Sequence, residues 1–516
     1  MSTTIIHMLD TSEFWQKLTQ QGPYYRSEFD LQRAFREQPN RFATLHCHAP
    51  YIRADLSKHL WSRDVLQNLI KLADTSELFN KRSQLLNGTL INPTEKRTID
   101  HAFWRHQAVS TQPPAALREM LQLAEQIRQD DAIKHVVHIG VGGSGLGPQM
   151  SVLAMEGHTS CHQTLHFVTN MDGHDLLSKT KDLNPEQTLF IIISKSWCTQ
   201  ETLQNAHTAI TWFREHGGQD INRHFVAISA RPDSAQAMGI QQVLTLPEGM
   251  GGRTSIWSTV GLALALALGT EGFMSFLRGG AAMDAHFATA PATHNLPLWL
   301  GLSDVWNHTF LQMSSRCIAP YHHYLRRLPA YLQQLDMESN GKRVDLQGRL
   351  LPYHTTAVIW GEAGSTGQHA FFQWLHQSTR RIPVEFITVR QPQHDLTDQH
   401  HTLLANALAQ SQALMIGSQA TDEQLSGHQD FPGNRPSTML MLEDLSPASL
   451  GALLALYEHR VFVSGIIWGI NSFDQFGVEL GKTLAADIAP RLKTGDTTGL
   501  DTSTAGLIQW IHPTSC

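Results

Sequence analysis

A glycine-rich segment, Gly140–Gly147, follows a short apolar run and precedes a helical pattern. Bare N–H groups in such a strand-to-helix turn, together with the helix dipole, attract an anion. The glycine spacing also satisfies the GxGxxG dinucleotide fingerprint, and Asp172 could be the acid that binds the ribose. This segment alone therefore leaves a phosphate ester, a dinucleotide and a simple tight turn as alternatives.

A second candidate loop, Ser194–Thr202, opens another helical pattern and is rich in hydroxyl groups. Ser194, Ser196 and Thr199 can each cap the helix or bind a ligand at its N-terminus. Ordinary capping needs one hydroxyl, whereas this loop supplies three, together with Lys195. In a doubly wound sheet both loops lie at the carboxyl ends of strands, where ligands bind. Two such loops favour one phosphate held jointly over a dinucleotide.

Two further segments place acidic or basic groups near turns. Asp336 and Glu338 precede the turn signal Asn340-Gly341, and two acids beside a turn can equally form a solvated loop. His369 follows a predicted strand, where it could act as a general acid or base or only as a structural hydrogen-bonding group.

Histidine and aspartate residues at 394–401, and histidines with a cysteine at 46–48, suggest metal sites. The first group continues into a helical pattern with apolar periodicity, so we expect these residues to cap that helix. We predict no metal ion and no cofactor.

Alternating strands and helices must position these groups. The predicted strands lie at 135–139, 165–169, 189–194, 224–229 and 243–246, and then at 354–360, 384–389, 413–417 and 438–442. Residues 258–332 are predicted to be mainly helical. This alternation predicts an α/β fold with doubly wound parallel sheets. We predict two such sandwich domains, at residues 111–285 and 286–445, between helical segments at 1–110 and 446–516.

Composition excludes several classes of protein. The 516 residues include 39 Lys and Arg against 46 Asp and Glu, and a net charge of -7 argues against a basic nucleic-acid-binding face. The start lacks the basic region of a signal peptide, and the apolar stretch Val260–Gly269 is too short to span a bilayer. Five scattered cysteines are typical of reduced thiols. We expect a cytoplasmic metabolic enzyme without nucleic-acid or membrane partners.

Six segments resemble the phosphoglucose isomerase family, and weaker agreement at residues 91–95 and 501–508 extends the resemblance over nearly the full chain. They are Gly142–Pro148, Ser194–Thr202, Glu248–Ser255, Gln333–Lys342, Gly361–Gln377 and Gly465–Lys482. The resemblance implies two sugar-isomerase-type (SIS) αβα sandwich domains. It also implies reversible isomerisation of D-glucose 6-phosphate to D-fructose 6-phosphate through ring opening and an enediolate, in glycolysis and gluconeogenesis.

The resemblance also implies a role for each matching residue. Glu338 would be the base that moves a proton between C2 and C1, and Arg253 would stabilise the enediolate. His369 and Lys482 would open the pyranose ring. The substrate-binding residues would be Gly143, Ser144, Ser194, Lys195, Ser196, Thr199, Gln334 and Gln475. The family forms homodimers with shared active sites, so His369 would reach over from the partner subunit.

The chain departs from the family pattern at two places. Thr254 stands where Tyr or Phe is usual, which puts the packing beside Arg253 in question. In the second loop, Ser196 replaces Thr and Trp197-Cys198 replace Phe-Thr. Since Ser196 keeps the hydroxyl, we expect phosphate binding to survive.

Alternatives from other classes remain open. The hypothesis of an NAD-dependent oxidoreductase depends on the GxGxxG match and Asp172, and it does not explain the hydroxyl-rich loop. A sugar-phosphate sensor would need the phosphate loops but not the four residues to which the resemblance gives catalytic roles. A smaller bifunctional relative also accepts mannose 6-phosphate, but the length and motifs of this chain favour the dedicated isomerase.

Overall fold

The computed structural model describes residues 9–511. The chain forms two compact units, Met1–Ser472 and Phe473–Cys516. Both large sheets belong to the first unit, and the second contains two of the helices given below. The predicted domain boundaries at residues 110, 285 and 445 stay a prediction.

Thirteen strands are present in the described residues. They are β1 (His46–Ala49), β2 (Ile52–Asp55), β3 (Ile91–Asn92), β4 (Arg97–Thr98), β5 (His135–Ile139), β6 (Thr164–Val168), β7 (Thr188–Ile193), β8 (Phe225–Ser229), β9 (Gln242–Thr245), β10 (Ser315–Pro320), β11 (Val358–Gly361), β12 (Val384–Val389) and β13 (Ser437–Leu442). Five of them form a wholly parallel sheet in the order β6-β5-β7-β8-β9. Its strand β7 is buried throughout, as expected for a strand covered on both faces.

The second sheet has the order β1-β2-β13-β12-β10-β11, and its last four strands are parallel. The hairpin β1-β2 continues it in the antiparallel sense, because β2 pairs with β13. The α/β class with parallel sheets is therefore confirmed. The N-terminal segment is not purely helical, however, since this hairpin belongs to it.

Two strand predictions are wrong. Residues 413–417 were predicted as a strand, but 413–416 form the last turn of a long helix and Gly417 follows it. Strand β10, which lies between β12 and the edge strand β11, falls inside the stretch predicted to be helical. Its buried Arg316 interrupts the apolar run by which buried strands are recognised.

The α-helices are α1 (Glu13–Ser27), α2 (Leu31–Glu37), α3 (Arg41–Thr44), α4 (Arg63–Thr75), α5 (Leu78–Leu86), α6 (His101–Ala108), α7 (Ala115–Gln129), α8 (Leu146–Ala154), α9 (Gly173–Thr180), α10 (Gln200–Glu215), α11 (Ile221–His224), α12 (Pro232–Ala237), α13 (Leu262–Thr289), α14 (Leu296–Val305), α15 (Leu328–Gln333), α16 (Gly364–Gln368), α17 (Phe372–Gln377), α18 (Thr397–Ile416), α19 (Pro447–Ile467), α20 (Glu479–Thr494) and α21 (Thr502–Ile511). Helices α20 and α21 belong to the second unit.

Helices α13 and α19 pack against each other in the interior of the first unit. By length and composition alone, Thr259–Thr289 and Pro447–Ile467 could each cross a membrane. In the fold, however, 67% and 94% of their most apolar windows are buried inside the protein. Burial in the core accounts for their apolar sequences.

Helix α19 also carries charges into the core, and each is paired. Arg105 donates hydrogen bonds to both oxygens of Asp284, at 2.8 and 2.6 Å, and to Glu458. The second Glu458 oxygen accepts a hydrogen bond from Trp257 at 2.7 Å. Burial raises the pKa of Glu458 to about 7, although the charge of Arg105 opposes this. Such a network is stable only when every buried polar group has a partner.

The close approach of α13 and α19 should depend on Gly451, which has no side chain. A Cβ at Gly451 would lie 2.0 Å from the carbonyl oxygen of Phe276, which is closer than atoms can approach. We expect Gly451→Ala to lower the free energy of unfolding by about 1–3 kcal/mol through overpacking. Gly173→Ala, where nothing lies within 4 Å of the added carbon, is the matched control. Equal thermal unfolding of the two variants would show that the helices move apart without cost.

Candidate active site

The glycine loop after β5 lies directly against a second backbone segment. Gly142 has φ +58°, a left-handed conformation that favours glycine. A Cβ at Gly143 would lie 2.1 Å from the carbonyl carbon of Gly252 and 2.7 Å from the amide nitrogen of Arg253. Only a residue without a side chain therefore lets this loop contact the segment that carries Arg253.

Ser144 is held in this loop through its backbone. The ring of His138, in β5, donates a hydrogen bond from Nε2 to the Ser144 carbonyl at 2.7 Å. Burial lowers the pKa of His138 to about 4, so the ring is neutral at neutral pH. The Ser144 hydroxyl forms no hydrogen bond within residues 9–511, and the residue is half-buried. This hydroxyl is available to a ligand.

The hydroxyl-rich loop connects β7 with α10, and β7 neighbours β5 in the sheet. Thr199 is the N-cap residue of α10, but its side chain forms no capping hydrogen bond. The Ser194 hydroxyl is buried and has no hydrogen-bond partner in the described part of the chain. The Ser196 hydroxyl accepts a hydrogen bond from the Cys198 thiol at 2.9 Å. Capping therefore does not explain these hydroxyl groups.

The residues that depart from the family pattern differ in their burial and contacts. Trp197 is buried in the core of the first sheet and adopts φ +51°, a strained conformation for a bulky residue. Cys198 is exposed. Thr254 is buried, and its hydroxyl donates to the Gly251 carbonyl at 3.4 Å. The smaller side chain is thus accommodated within the turn that carries Arg253.

Lys195 links the hydroxyl-rich loop to the segment before Arg253. Its ammonium group donates hydrogen bonds to the carbonyl oxygens of Glu248, at 2.6 Å, and Met250, at 2.7 Å. Burial lowers the pKa of Lys195 to about 8, and the charge of Arg97 contributes to this shift. Lys195 is therefore a cation whose charge is lost under mildly alkaline conditions.

Glu338 and Arg253 form the charged centre of the site. Glu338 ends a π-helical turn, Gln334–Glu338, that continues α15. Its Oε1 lies 3.6 Å from Nη1 of Arg253, whereas its Oε2 is buried without a hydrogen-bond partner in the described residues. Arg253 is buried and also donates to the Ser339 hydroxyl and the Ser472 carbonyl, each at 2.7 Å. The carboxylate thus has one oxygen near a fixed cation and one free to accept a proton.

Gln334 connects this centre with the glycine loop. Its Nε2 lies 3.3 Å from the point where a Cβ at Gly142 would be. Its Oε1 is buried and has no partner among the described residues. An unpaired buried amide oxygen costs free energy unless a ligand or water satisfies it. Gln334, Glu338, Arg253 and the glycine loop therefore surround one region.

A buried series of ion pairs, which the sequence analysis missed, fixes the turn that carries Glu338. Arg316 donates to Oδ2 of Asp336 at 2.5 Å, and Thr356 donates to Oδ1 at 2.5 Å. Arg316 also pairs with Asp304, to which Arg460 donates at 2.6 and 2.7 Å. Asp336 is buried, so the solvated-loop alternative does not hold for it. In the sequence, this series is indicated only by Arg316, a charged residue inside a strand-like run.

The three other predicted site residues are His369, in the first unit, and Lys482 and Gln475, in the second. His369 follows α16, is exposed, and its ring forms no hydrogen bond or ion pair within residues 9–511. Lys482 lies on α20 in the second unit and donates to Glu479 at 2.9 Å. Gln475 precedes the short 3₁₀ turn Phe476–Val478 in the same unit.

The residues that suggested a dinucleotide or a metal ion have defined contacts. Asp172 caps α9: its carboxylate accepts hydrogen bonds from the backbone and ring of His174, at 3.0 and 2.8 Å. Within residues 9–511, no group of three or more His, Cys, Asp or Glu side chains could hold a metal ion. At 394–401, no side chain caps α18, so our capping prediction is wrong. The ring of His394 instead accepts from the Leu396 amide just before the helix.

Known proteins resemble this chain over almost its full length. A family model described as phosphoglucose isomerase matches residues 55–508. The glucose-6-phosphate isomerase of Polaromonas naphthalenivorans is 50% identical, over 98% of this chain and 99% of the relative. That of Albidiferax ferrireducens is 51% identical, over 93% and 94%. The crystal structure of a glucose-6-phosphate isomerase from Chlamydia trachomatis superposes with a TM-score of 0.89 at 30% identity, covering 98% of this chain and all of that one.

Anion binding at the two loops should depend on pH through Lys195. A lysine is cationic below its pKa, so a pKa of about 8 means that the positive charge is lost as the pH rises through 8. We expect calorimetric affinity for inorganic phosphate to fall between pH 7.5 and 9.5, and Lys195→Gln to abolish this step. Lys134→Gln, at an exposed lysine, should keep it. A pH step that persists in Lys195→Gln would assign the titration to another group.

Proposed function

The chain belongs to the phosphoglucose isomerase family, and from that membership and the site we propose the following reaction. The enzyme interconverts D-glucose 6-phosphate and D-fructose 6-phosphate by opening the sugar ring and moving a proton through an enediolate. The observation that carries this proposal is the pair Glu338 and Arg253. A carboxylate, one oxygen of which is buried and has no hydrogen-bond partner among the described residues, lies 3.6 Å from a buried guanidinium and beside two loops with available hydroxyl groups.

The substrate phosphate would be bound where the two loops meet the sheet edge. The hydroxyl groups of Ser144, Ser194, Ser196 and Thr199 would donate hydrogen bonds to it, and the backbone of Gly143 would approach it closely. Lys195 would add a positive charge. Hydrogen bonds to a charged group are worth about 1.5–3 kcal/mol each, so several hydroxyls suffice for tight binding without a fully charged clamp.

Glu338 would carry the proton between two adjacent carbons. It takes the C2 proton of the open-chain aldose, and the released electron pair forms the C1–C2 double bond while negative charge moves to O1. Arg253 stabilises this enediolate, as a fixed cation does in a site shielded from water. Glu338 then returns the proton to C1, the O2 proton moves to O1, and the ketose results.

Ring opening would require a second pair of groups. His369 and Lys482 would exchange protons with the ring oxygen and the anomeric hydroxyl, while Gln334 and Gln475 bind other substrate oxygens. We propose that the enzyme is a homodimer and that His369 of one subunit completes the site of the other. The exposed ring of His369, which has no partner in the described part of its own chain, supports this role.

The cellular setting is proposed from the same family membership. The enzyme would act in glycolysis and gluconeogenesis, in the cytoplasm, on a free sugar phosphate. We propose no metal ion, nucleotide, nucleic acid or membrane as part of this activity.

The decisive test of the base is Glu338→Gln, which keeps the shape of the side chain and removes its basicity. We expect turnover of fructose 6-phosphate, followed as glucose 6-phosphate formed without added metal or nucleotide, to fall by about 10²–10⁴-fold or more. Substrate binding should remain. Glu215→Gln, at an exposed glutamate, is the control. Exchange of the C2 proton with solvent should disappear in parallel, and its persistence at the wild-type rate would remove Glu338 from this role.

The shared site can be tested by subunit exchange. His369→Ala and Glu338→Gln homodimers should each be nearly inactive. After mild denaturation and reassembly, each hybrid dimer would hold one site in which both residues are intact, so turnover should return. Hybrids that are proven by mass spectrometry and yet inactive would show that both residues of a site come from one chain.

A further inference from the structure

A cavity of about 260 Å³ lies where the end of α1 meets residues 311–314 and 380–382. Three arginines line it: Arg26, Arg380 and Arg381. The other lining residues are apolar or neutral, so within residues 9–511 no acidic side chain lines this cavity. None of its lining residues is one that we assign to the candidate active site.

The charges of the three arginines are not neutralised by any described residue. Within residues 9–511, their guanidinium groups form no ion pair and no hydrogen bond. Arg380 is exposed, but Arg26 and Arg381 are half-buried. Burial lowers the pKa of Arg381, and no carboxylate opposes that effect. A cation that is removed from water without a counter-charge costs free energy, which an anion in the cavity would offset.

A fourth arginine adds to the positive charge here. Arg435 is buried, and among residues 9–511 its guanidinium donates only to carbonyl oxygens, those of His376, Ser378 and Arg380. Its Nε has no partner in the described residues. The pKa of Arg435 is lowered by burial and further by the charge of Arg381, so the two cations act on each other. This region therefore holds excess positive charge although the whole chain is negative.

A second cavity, of about 520 Å³, adjoins the first, since Arg26 and Gln312 line both. Amide and hydroxyl side chains dominate its polar lining, including those of Gln16 and Thr19. It also contains Asp10, whose Oδ1 is buried without a partner among the described residues. The Gln16 amide nitrogen donates to the Thr11 carbonyl at 3.4 Å, and the Thr19 hydroxyl donates to the Trp15 carbonyl at 2.9 Å. The oxygens of Asp10, Gln16 and Thr19 can therefore accept hydrogen bonds from the hydroxyl groups of a ligand.

We propose that the two cavities form a second ligand site, separate from the active site, for a phosphorylated polyhydroxy compound. The arginines bind the phosphate, since guanidinium groups suit planar, paired hydrogen bonds to phosphate oxygens. The amide-lined cavity binds the hydroxylated carbon chain. Its volume falls within the range of small-molecule sites, about 300–1,000 Å³.

The arginine cluster is tested by counting bound phosphate. Equilibrium dialysis with labelled inorganic phosphate should find two sites per chain in the wild-type protein and one in Arg26→Gln/Arg381→Gln. Arg214→Gln removes an exposed arginine elsewhere and should keep both sites. Unchanged isomerase turnover would show that the double variant is folded. If that variant does not fold, Arg380→Gln can be used instead. We then expect inorganic phosphate to bind at least about ten-fold more weakly at one of the two sites. One site in the wild-type protein, or two sites of unchanged affinity in Arg26→Gln/Arg381→Gln or in Arg380→Gln, would overturn the proposal.

The polyhydroxy part of the proposal needs a second probe. Sorbitol 6-phosphate should occupy the arginine-dependent site more tightly than inorganic phosphate does. Gln16→Ala/Thr19→Ala should remove that difference and leave inorganic phosphate binding unchanged. Equal affinity of the two probes in the wild-type protein would mean that the arginines bind a bare anion, and the proposed ligand class would be wrong.

Discussion

A buried series of ion pairs connects helix α19 with the turn that carries Glu338. Arg460 pairs with Asp304, and Asp304 pairs with Arg316. Arg316 then pairs with Asp336, two residues before Glu338. Each charge has left water at a cost of several kcal/mol, which only a partner of opposite sign and further hydrogen bonds can offset. Loss of any one group would leave another buried and uncompensated, so the series holds the π-helical turn in one position. The candidate base is therefore positioned from inside the protein.

The other side of the site depends on close backbone contact. Because Gly143 has no side chain, the loop after β5 can lie against Gly252 and the turn that carries Arg253. Arg253 is in turn bound by the Ser339 hydroxyl, next to Glu338 in the chain. A segment that follows the first sheet thus supplies the cation, and a segment within the second sheet region supplies the carboxylate. The cation and the carboxylate take these positions only when the two segments pack together.

Most of the fold could be predicted because each buried strand is a short apolar run between polar turns, as β7 is. Strand β10 could not, because Arg316 interrupts its apolar pattern. That charge is tolerated only since Asp304 and Asp336 pair with it, and both belong to other segments. The hairpin β1-β2 was missed for a related reason. Its strands are only four residues long, and their sheet partner β13 lies near the other end of the chain.

The sequence by itself determined which chemical groups this protein has at its disposal. Residue type and local spacing are enough to identify a glycine turn, a hydroxyl-rich helix entrance and a carboxylate before a turn, because these depend on neighbours along the chain. Only the tertiary structure decided which groups meet. Asp336 and Glu338 look alike in the sequence, yet both oxygens of Asp336 accept hydrogen bonds, from Arg316 and Thr356. Glu338 has one oxygen near Arg253 and a second that has no partner in the described part of the chain. The two carboxylates differ because of their burial and their contacts with segments far away in the chain, and a local sequence pattern contains neither kind of information.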